Sequence, residues 1–165
     1  MATYYIVSGG FDPIHEGHIE NIKESRLESD GVIVLLNSDE WLCRKKGTNF
    51  MNFYTRSVIC ENIKGVHEVI AFDDSDNSAC DGLKRARERH PNDRLVFAKG
   101  GDRTADNIPE IPVANALNIE IKYNVGFAIN GRQKPNSSSW LLKNWDERKG
   151  KEEKDKPSNS QKAAA

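Results

Sequence analysis

The stretch YYIVSGGFDPIHEGH, from Tyr4 to His18, fixes the architecture expected of the chain. Tyr4 to Val7 is a short aromatic and β-branched run, the composition of a strand. Gly9 and Gly10 end it and let bare backbone approach a ligand. Pro13 stiffens the loop that follows. His15 and His18 stand three apart where a helix is predicted to begin, so they share a face. Gly17 between them leaves room for a ligand against the backbone. A helix N-terminus carries unpaired N–H groups and a partial positive charge, and two imidazoles beside it can donate hydrogen bonds to phosphate oxygens. An isolated H-x-x-H could be a chance pair or half of a metal site. Its place after a strand and a Gly-Gly turn favours phosphate binding.

Outward from this stretch, strand and helix patterns alternate. Apolar residues at Ile19, Ile22 and Leu27 predict a helix over Glu16 to Leu27. Val32 to Leu36 is continuously apolar, as in a strand buried on both faces. A helix is expected over Phe53 to Ile63 and a third strand over Val66 to Phe72. Ser78 to His90 reads as a charged helix, Leu95 to Ala98 as a fourth strand, and Ile119 to Tyr123 as a fifth. Ser137 to Trp145 reads as a last helix, capped by its serines. The alternation predicts an α/β fold: a doubly wound, Rossmann-like, five-stranded parallel sheet with helices on both faces. Its ligands should gather at the carboxyl ends of the strands.

The 165 residues suit one domain, and hydrophobic residues make up 37% against 30% charged. The polar excess is local, because from Asp146 to Ala165 little is apolar except alanine. The expected division is a folded domain over 1–146 and a disordered charged tail over 147–165. A net charge of −1 supplies no global basic field for nucleic acid, so phosphate binding must be local. Cys43, Cys60 and Cys80 show neither a disulfide framework nor a CxxC or His/Cys metal spacing. No stretch resembles a signal peptide or a membrane span, so a reducing, cytoplasmic setting is expected.

GGFDPIHEGH resembles the signature of the cytidylyltransferase-like nucleotidyltransferases, whose hallmark is H-x-G-H after the first strand. The resemblance runs through Asn37-Ser38-Asp39, Lys45-Lys46-Gly47, Tyr54-Thr55-Arg56, Lys99-Gly100-Gly101-Asp102 and Ser137-Ser138-Ser139, in order, over about residues 4–145. It is nearest to the adenylyltransferase domain of bifunctional heptose phosphate enzymes, then to glycerol-3-phosphate cytidylyltransferase.

The resemblance implies transfer of a nucleoside monophosphate from ATP or CTP to a sugar phosphate or polyol phosphate, with release of pyrophosphate. It implies that His15, His18 and Lys46 carry the chemistry, with Lys46 on a mobile loop. Gly9, Gly10, Phe11, Gly17, Ser137, Ser138 and Ser139 would bind the nucleotide. Asp12, Asp39, Arg56, Lys99, Gly101 and Asp102 are candidates for substrate contact. Mg²⁺ would arrive on the triphosphate, since no acidic cluster resembles a protein cage for it. A homodimer is implied by the resemblance alone.

Each residue has a structural alternative. Lys45 and Lys46 could be solvated, Arg56 could pair with Asp39 or Glu61, the serines could be a plain N-cap, and residues 99–102 a tight turn. The segment Gly126 to Asn136 is longer and more polar than the resemblance leads one to expect, and Arg132 or Lys134 could add a phosphate contact. Two other functions stay open: the same chemistry on another acceptor such as nicotinamide mononucleotide, and a nucleotide-binding module without catalysis.

Overall fold

The fold was analysed in a computed structural model that describes residues 1–100, 108–123, 125 and 137–155, residues 152–155 by backbone alone. Five parallel strands form one sheet in the order β3-β2-β1-β4-β5. They are β1 (Thr3–Gly9), β2 (Gly31–Leu36), β3 (Val66–Ala71), β4 (Arg94–Ala98) and β5 (Glu120–Lys122). The helices are α1 (Glu16–Leu27), α2 (Asp39–Lys46), α3 (Phe53–Glu61), α4 (Cys80–Arg89), α5 (Ile111–Ala116) and α6 (Ser138–Asp155).

The sheet buries apolar side chains on both faces. Ile6, Ile33, Leu35, Ile70 and Phe97 pack with Leu83 and Ala86 of α4 and Ala114 of α5. Tyr5, Val7, Val32, Val34, Leu36 and Val96 pack on the opposite face with Ile22 of α1 and Cys60 of α3. Every residue of β2 is buried, which explains its unbroken apolar run. The doubly wound sheet expected from the alternation is therefore present. The strand order reverses beside β1, whose neighbours are β2 and β4. The crevice at the carboxyl end of β1 is thus the switch point where such sheets receive ligands.

Three elements depart from the sequence expectation. The segment from Cys43 to Asn52, expected as a loop, begins inside helix α2, which carries Lys46 as its last residue, and is non-helical only from Gly47 onward. Ser38 caps it by accepting from the Trp41 N–H at 3.0 Å, and Gly47 ends it at φ 85° with its N–H on the Cys43 carbonyl. Asp39 and Glu40 lie in its first turn and three basic residues in its last, the arrangement that suits the helix dipole. Only Leu42 of α2 is buried, so hydrophobic periodicity could not reveal it. Helix α5 was likewise unexpected and is one short turn and a half. Helix α6 runs on past Trp145 to Asp155, through the first part of the segment expected as a disordered tail. None of the described helices is long and apolar enough to cross a membrane.

Candidate active site

The candidate side chains His15, His18, Lys46 and Ser138 are each placed by a backbone contact. The loop after β1 spans Gly10 to Ile14 and leads into α1. Its carbonyls are held from three directions. The Arg56 guanidinium of α3 donates to the Gly10 carbonyl at 2.9 Å. Lys46 Nζ, at the end of α2, donates to the Asp12 carbonyl at 3.1 Å. Ser138 Oγ, at the start of α6, donates to the Pro13 carbonyl at 2.8 Å. Three helices distant in sequence thereby converge on the strand–loop–helix unit read from residues 4–18.

The histidines cap α1. His15 is the N-cap, and its Nδ1 accepts the Gly17 N–H at 3.0 Å. His18 Nδ1 accepts the His15 N–H at 3.2 Å. The two rings lie 4.0 Å apart between centroids, and Phe11 stands 4.7 Å from His18. A ring nitrogen that accepts cannot carry the proton of a neutral imidazole. Hydrogen-bond logic therefore assigns the proton of both rings to Nε2, and each histidine becomes an N–H donor at that position. This corrects one expectation: the N–H groups of Gly17 and His15 are not left for a ligand. The imidazoles take them and present a donor of their own, backed by the positive end of α1.

Gly17 is sterically tied to the same cap. A Cβ there would stand 2.9 Å from His15 Cε1 and 3.0 Å from its Nδ1. The glycine makes room for the His15 ring. Gly10 is equally constrained, since a Cβ would meet Leu42 of α2 at 2.6 Å. Gly17→Ala is therefore expected to push the His15 ring off its cap. The expected result is a fall in kcat/KM of at least tenfold, about 1.4 kcal/mol, with a fold that still melts cooperatively. Steady-state kinetics beside thermal melts check it, and wild-type kinetics would refute the steric role.

Lys46 points into the site, whereas Lys45 rests over the Trp41 ring at 4.4 Å. Burial pulls the Lys46 ammonium below the usual lysine range, and the Asp12 charge opposes this. Ser137 caps α6 by accepting the Trp140 N–H at 3.1 Å, and Ser139 is exposed beside it. Gly9 ends β1, its carbonyl accepting from the Asn37 N–H at 3.0 Å.

Four proposed substrate contacts also make contacts within the framework. Asp12 is fully buried, and its carboxylate accepts the backbone N–H groups of Phe50 and Met51 at 2.6 and 2.7 Å. It pins the segment after α2 to the site. Arg56 is also fully buried, donating to the Met51, Gly10 and Asn37 carbonyls and to Asp39 Oδ1. Of its two candidate partners, Asp39 is the one it meets, at 2.7 Å. Lys99 is buried on the α5 side, 3.5 Å from Glu110 Oε2 and over the Phe97 ring. Arg56, Asp12 and Lys99 thus brace the framework in this structure, and Asp39, with 36% of its side chain exposed, pairs with Arg56 through Oδ1 alone. Gly101, Asp102 and the segment 126–136 lie outside the described residues.

One residue of this framework gave no signal in the sequence. Asp74, buried after β3, accepts from Asn37 Nδ2, the Ser38 N–H and Ser38 Oγ at 2.7 to 3.0 Å. It fixes the end of β2 and the cap of α2, and so the placement of Lys46. Only a contact between remote segments could show it.

Comparison with known proteins shows the family and the fold. The cytidylyltransferase-like family matches residues 6–144. The bifunctional protein HldE of Hyphomonas neptunium is 33% identical over 117 residues, covering 69% of this chain and 22% of that protein. The chain therefore spans only about a fifth of that relative. Glycerol-3-phosphate cytidylyltransferase of Bacillus subtilis is 32% identical over 65 residues, 39% of this chain and 50% of that one. A lipopolysaccharide core biosynthesis protein from Thermoplasma volcanium has the same fold, with a TM-score of 0.55 and 23% identity over 75% of this chain and 95% of its own. The match extends from β1 to α6, the elements that build the site, and the chain belongs to the cytidylyltransferase-like family.

Proposed function

We propose that the chain transfers a nucleoside monophosphate from ATP or CTP to a phosphorylated sugar or polyol, releasing pyrophosphate. The observation that carries the reading is the pair of Nδ1-accepting histidines at the start of α1, with Lys46 and the start of α6 held to the same loop. An oxygen of the acceptor phosphate attacks the α-phosphorus. The new P–O bond forms as the bond from that phosphorus to the bridging oxygen breaks, and pyrophosphate takes the electron pair. No protein nucleophile is required, so positioning and charge stabilisation are the chain's contribution. The Nε2–H groups of His15 and His18 donate to phosphate oxygens as negative charge shifts toward the leaving group. Lys46 releases the Asp12 carbonyl and turns its ammonium to the phosphates, a role that suits a point charge on a flexible stem.

Mg²⁺ enters as part of the nucleotide substrate. The Asp12 carboxylate is occupied by two backbone N–H groups, and Mg²⁺ would keep its phosphate and water ligands. The three cysteines are free, which accords with a cytoplasmic setting. A pyrophosphate-release assay over a panel of nucleoside triphosphates, with sugar phosphates, polyol phosphates and nicotinamide mononucleotide as acceptors, tests the proposal. Release with ATP or CTP and a sugar or polyol phosphate supports it. Release only with nicotinamide mononucleotide moves the acceptor, and nucleotide binding without release leaves a binding module.

Lys46→Ala is expected to lower kcat/KM by more than tenfold, over about 1.4 kcal/mol. The lost bond to the Asp12 carbonyl should cost about 1 kcal/mol of stability. Lys45→Ala should do less to activity, because its ammonium sits over Trp41. Kinetics of the two variants decide it: greater damage from Lys45→Ala would assign the role to the wrong lysine.

A further inference from the structure

At the opposite end of the sheet, His67, Glu68 and His90 bring their ligand atoms within 4.8 Å of one another. We propose that this cluster is a binding site for a divalent transition metal of the Zn²⁺ class, separate from the nucleotide site.

Adjacent strand residues ordinarily point to opposite faces. Here the register slips between β2 and β3: Val66 faces Val32, but Glu68 faces Ile33. His67 is the extra residue, and a bulge of this kind re-aims a side chain. It brings His67 and Glu68 into one cluster. Gly31 accommodates the result, since a Cβ there would stand 2.9 Å from His67 Cβ and 3.3 Å from Tyr4 Cε1. The Tyr4 ring stacks on His67 at 4.5 Å and leans on His90 at 4.6 Å. Both imidazoles are therefore oriented before any ion arrives.

The hydrogen bonds supply the rest of a metal site. His90 Nε2 lies 2.6 Å from Glu68 Oε1, and His90 Nδ1 lies 3.2 Å from Asp93 Oδ2. Arg89 occupies Glu68 Oε2 at 2.6 Å, leaving Oε1 toward the histidines. Burial would raise the Glu68 carboxyl, but hydrogen bonds from His90 and Arg89 outweigh it and hold it below the usual range. A cation between His90 Nε2, Glu68 Oε1 and His67 would take the place of the bond between the first two. Asp93 would then accept from His90 Nδ1, the carboxylate–histidine–metal arrangement that raises ligand basicity. Two nitrogens and one oxygen suit Zn²⁺ with water as a fourth ligand, and do not suit Mg²⁺. The cluster lies near the amino ends of β1 and β3, about 17 Å along β1 from Gly9, at ~3.3 Å per residue, so metal here would not meet the nucleotide directly.

Calorimetric titration of the chelator-treated full chain with Zn²⁺ tests this, with Co²⁺ absorption as a second readout. One equivalent should bind, and excess Mg²⁺ should not displace it. His67→Gln, at an exposed position, and His90→Gln should each weaken binding at least tenfold. Asp93→Asn should weaken it by about 10–100-fold, the effect of losing a carboxylate behind a ligating histidine. Co²⁺ should give tetrahedral ligand-field absorption that His67→Gln abolishes. No binding, displacement by Mg²⁺, or binding unchanged in His67→Gln would overturn the proposal. The assay needs no nucleotide, so its failure leaves the proposed transferase reaction untouched, and the reverse holds.

Discussion

His18→Ala is expected to lower turnover by about 10²–10³, the scale of losing one preorganised transition-state donor. The His15 N–H takes His18 Nδ1 at 3.2 Å, which leaves the ring proton on Nε2. Alanine removes that donor and half of the α1 cap. Loss of a cap costs about 0.5–2 kcal/mol, so the variant should fold and melt somewhat earlier. KM for the nucleotide should change far less than kcat, because a group that acts on developing charge contributes mainly in the transition state. Pyrophosphate-release kinetics alongside a thermal melt separate the two effects. Turnover within about threefold of wild type would remove His18 from the chemistry.

The second large effect is expected in stability. Arg56 has no accessible surface and makes four hydrogen bonds, to the Met51, Gly10 and Asn37 carbonyls and to Asp39. Arg56→Ala would leave those acceptors unpaired and a cavity between β1, β2 and α3. Removing a large buried side chain and leaving buried carbonyls without a donor together cost about 3–5 kcal/mol. In a domain of this size that lowers Tm by about 6–20 °C, at ~2–4 °C per kcal/mol. Arg56→Lys keeps the charge but not the fork, so it should fall between wild type and alanine. A variant as stable as wild type, with only a raised KM, would restore Arg56 as a substrate contact.

The fate of Arg56 shows where sequence reading stops. Its side chain can meet either Asp39 or Glu61 as far as spacing tells, and only the packing of α3 against the sheet brings it to Asp39. Lys99 is similar: its place after β4 is legible, but its turn toward Glu110 depends on α5, a helix too short to leave a periodic signal. Helix α2 did leave signals, in Ser38 as cap and Gly47 as stop, yet one buried leucine gave it no apolar stripe.

What the sequence determined by itself was local or repetitive. The alternation of apolar runs and helical patterns dictates the doubly wound sheet, because each pattern depends on a period of two or about 3.6 residues. The order Gly-Gly, His15, Gly17, His18 dictates the turn from β1 into α1, because all of it lies within one strand–loop–helix unit. What only the tertiary structure decided is which atoms of that unit face outward. Lys46 and Ser138 reach its carbonyls from 34 and 125 residues away, and Asp74 sets α2 from the end of a third strand. Contacts between segments so far apart have no period and no spacing, and they exist only once the sheet has brought its carboxyl ends together.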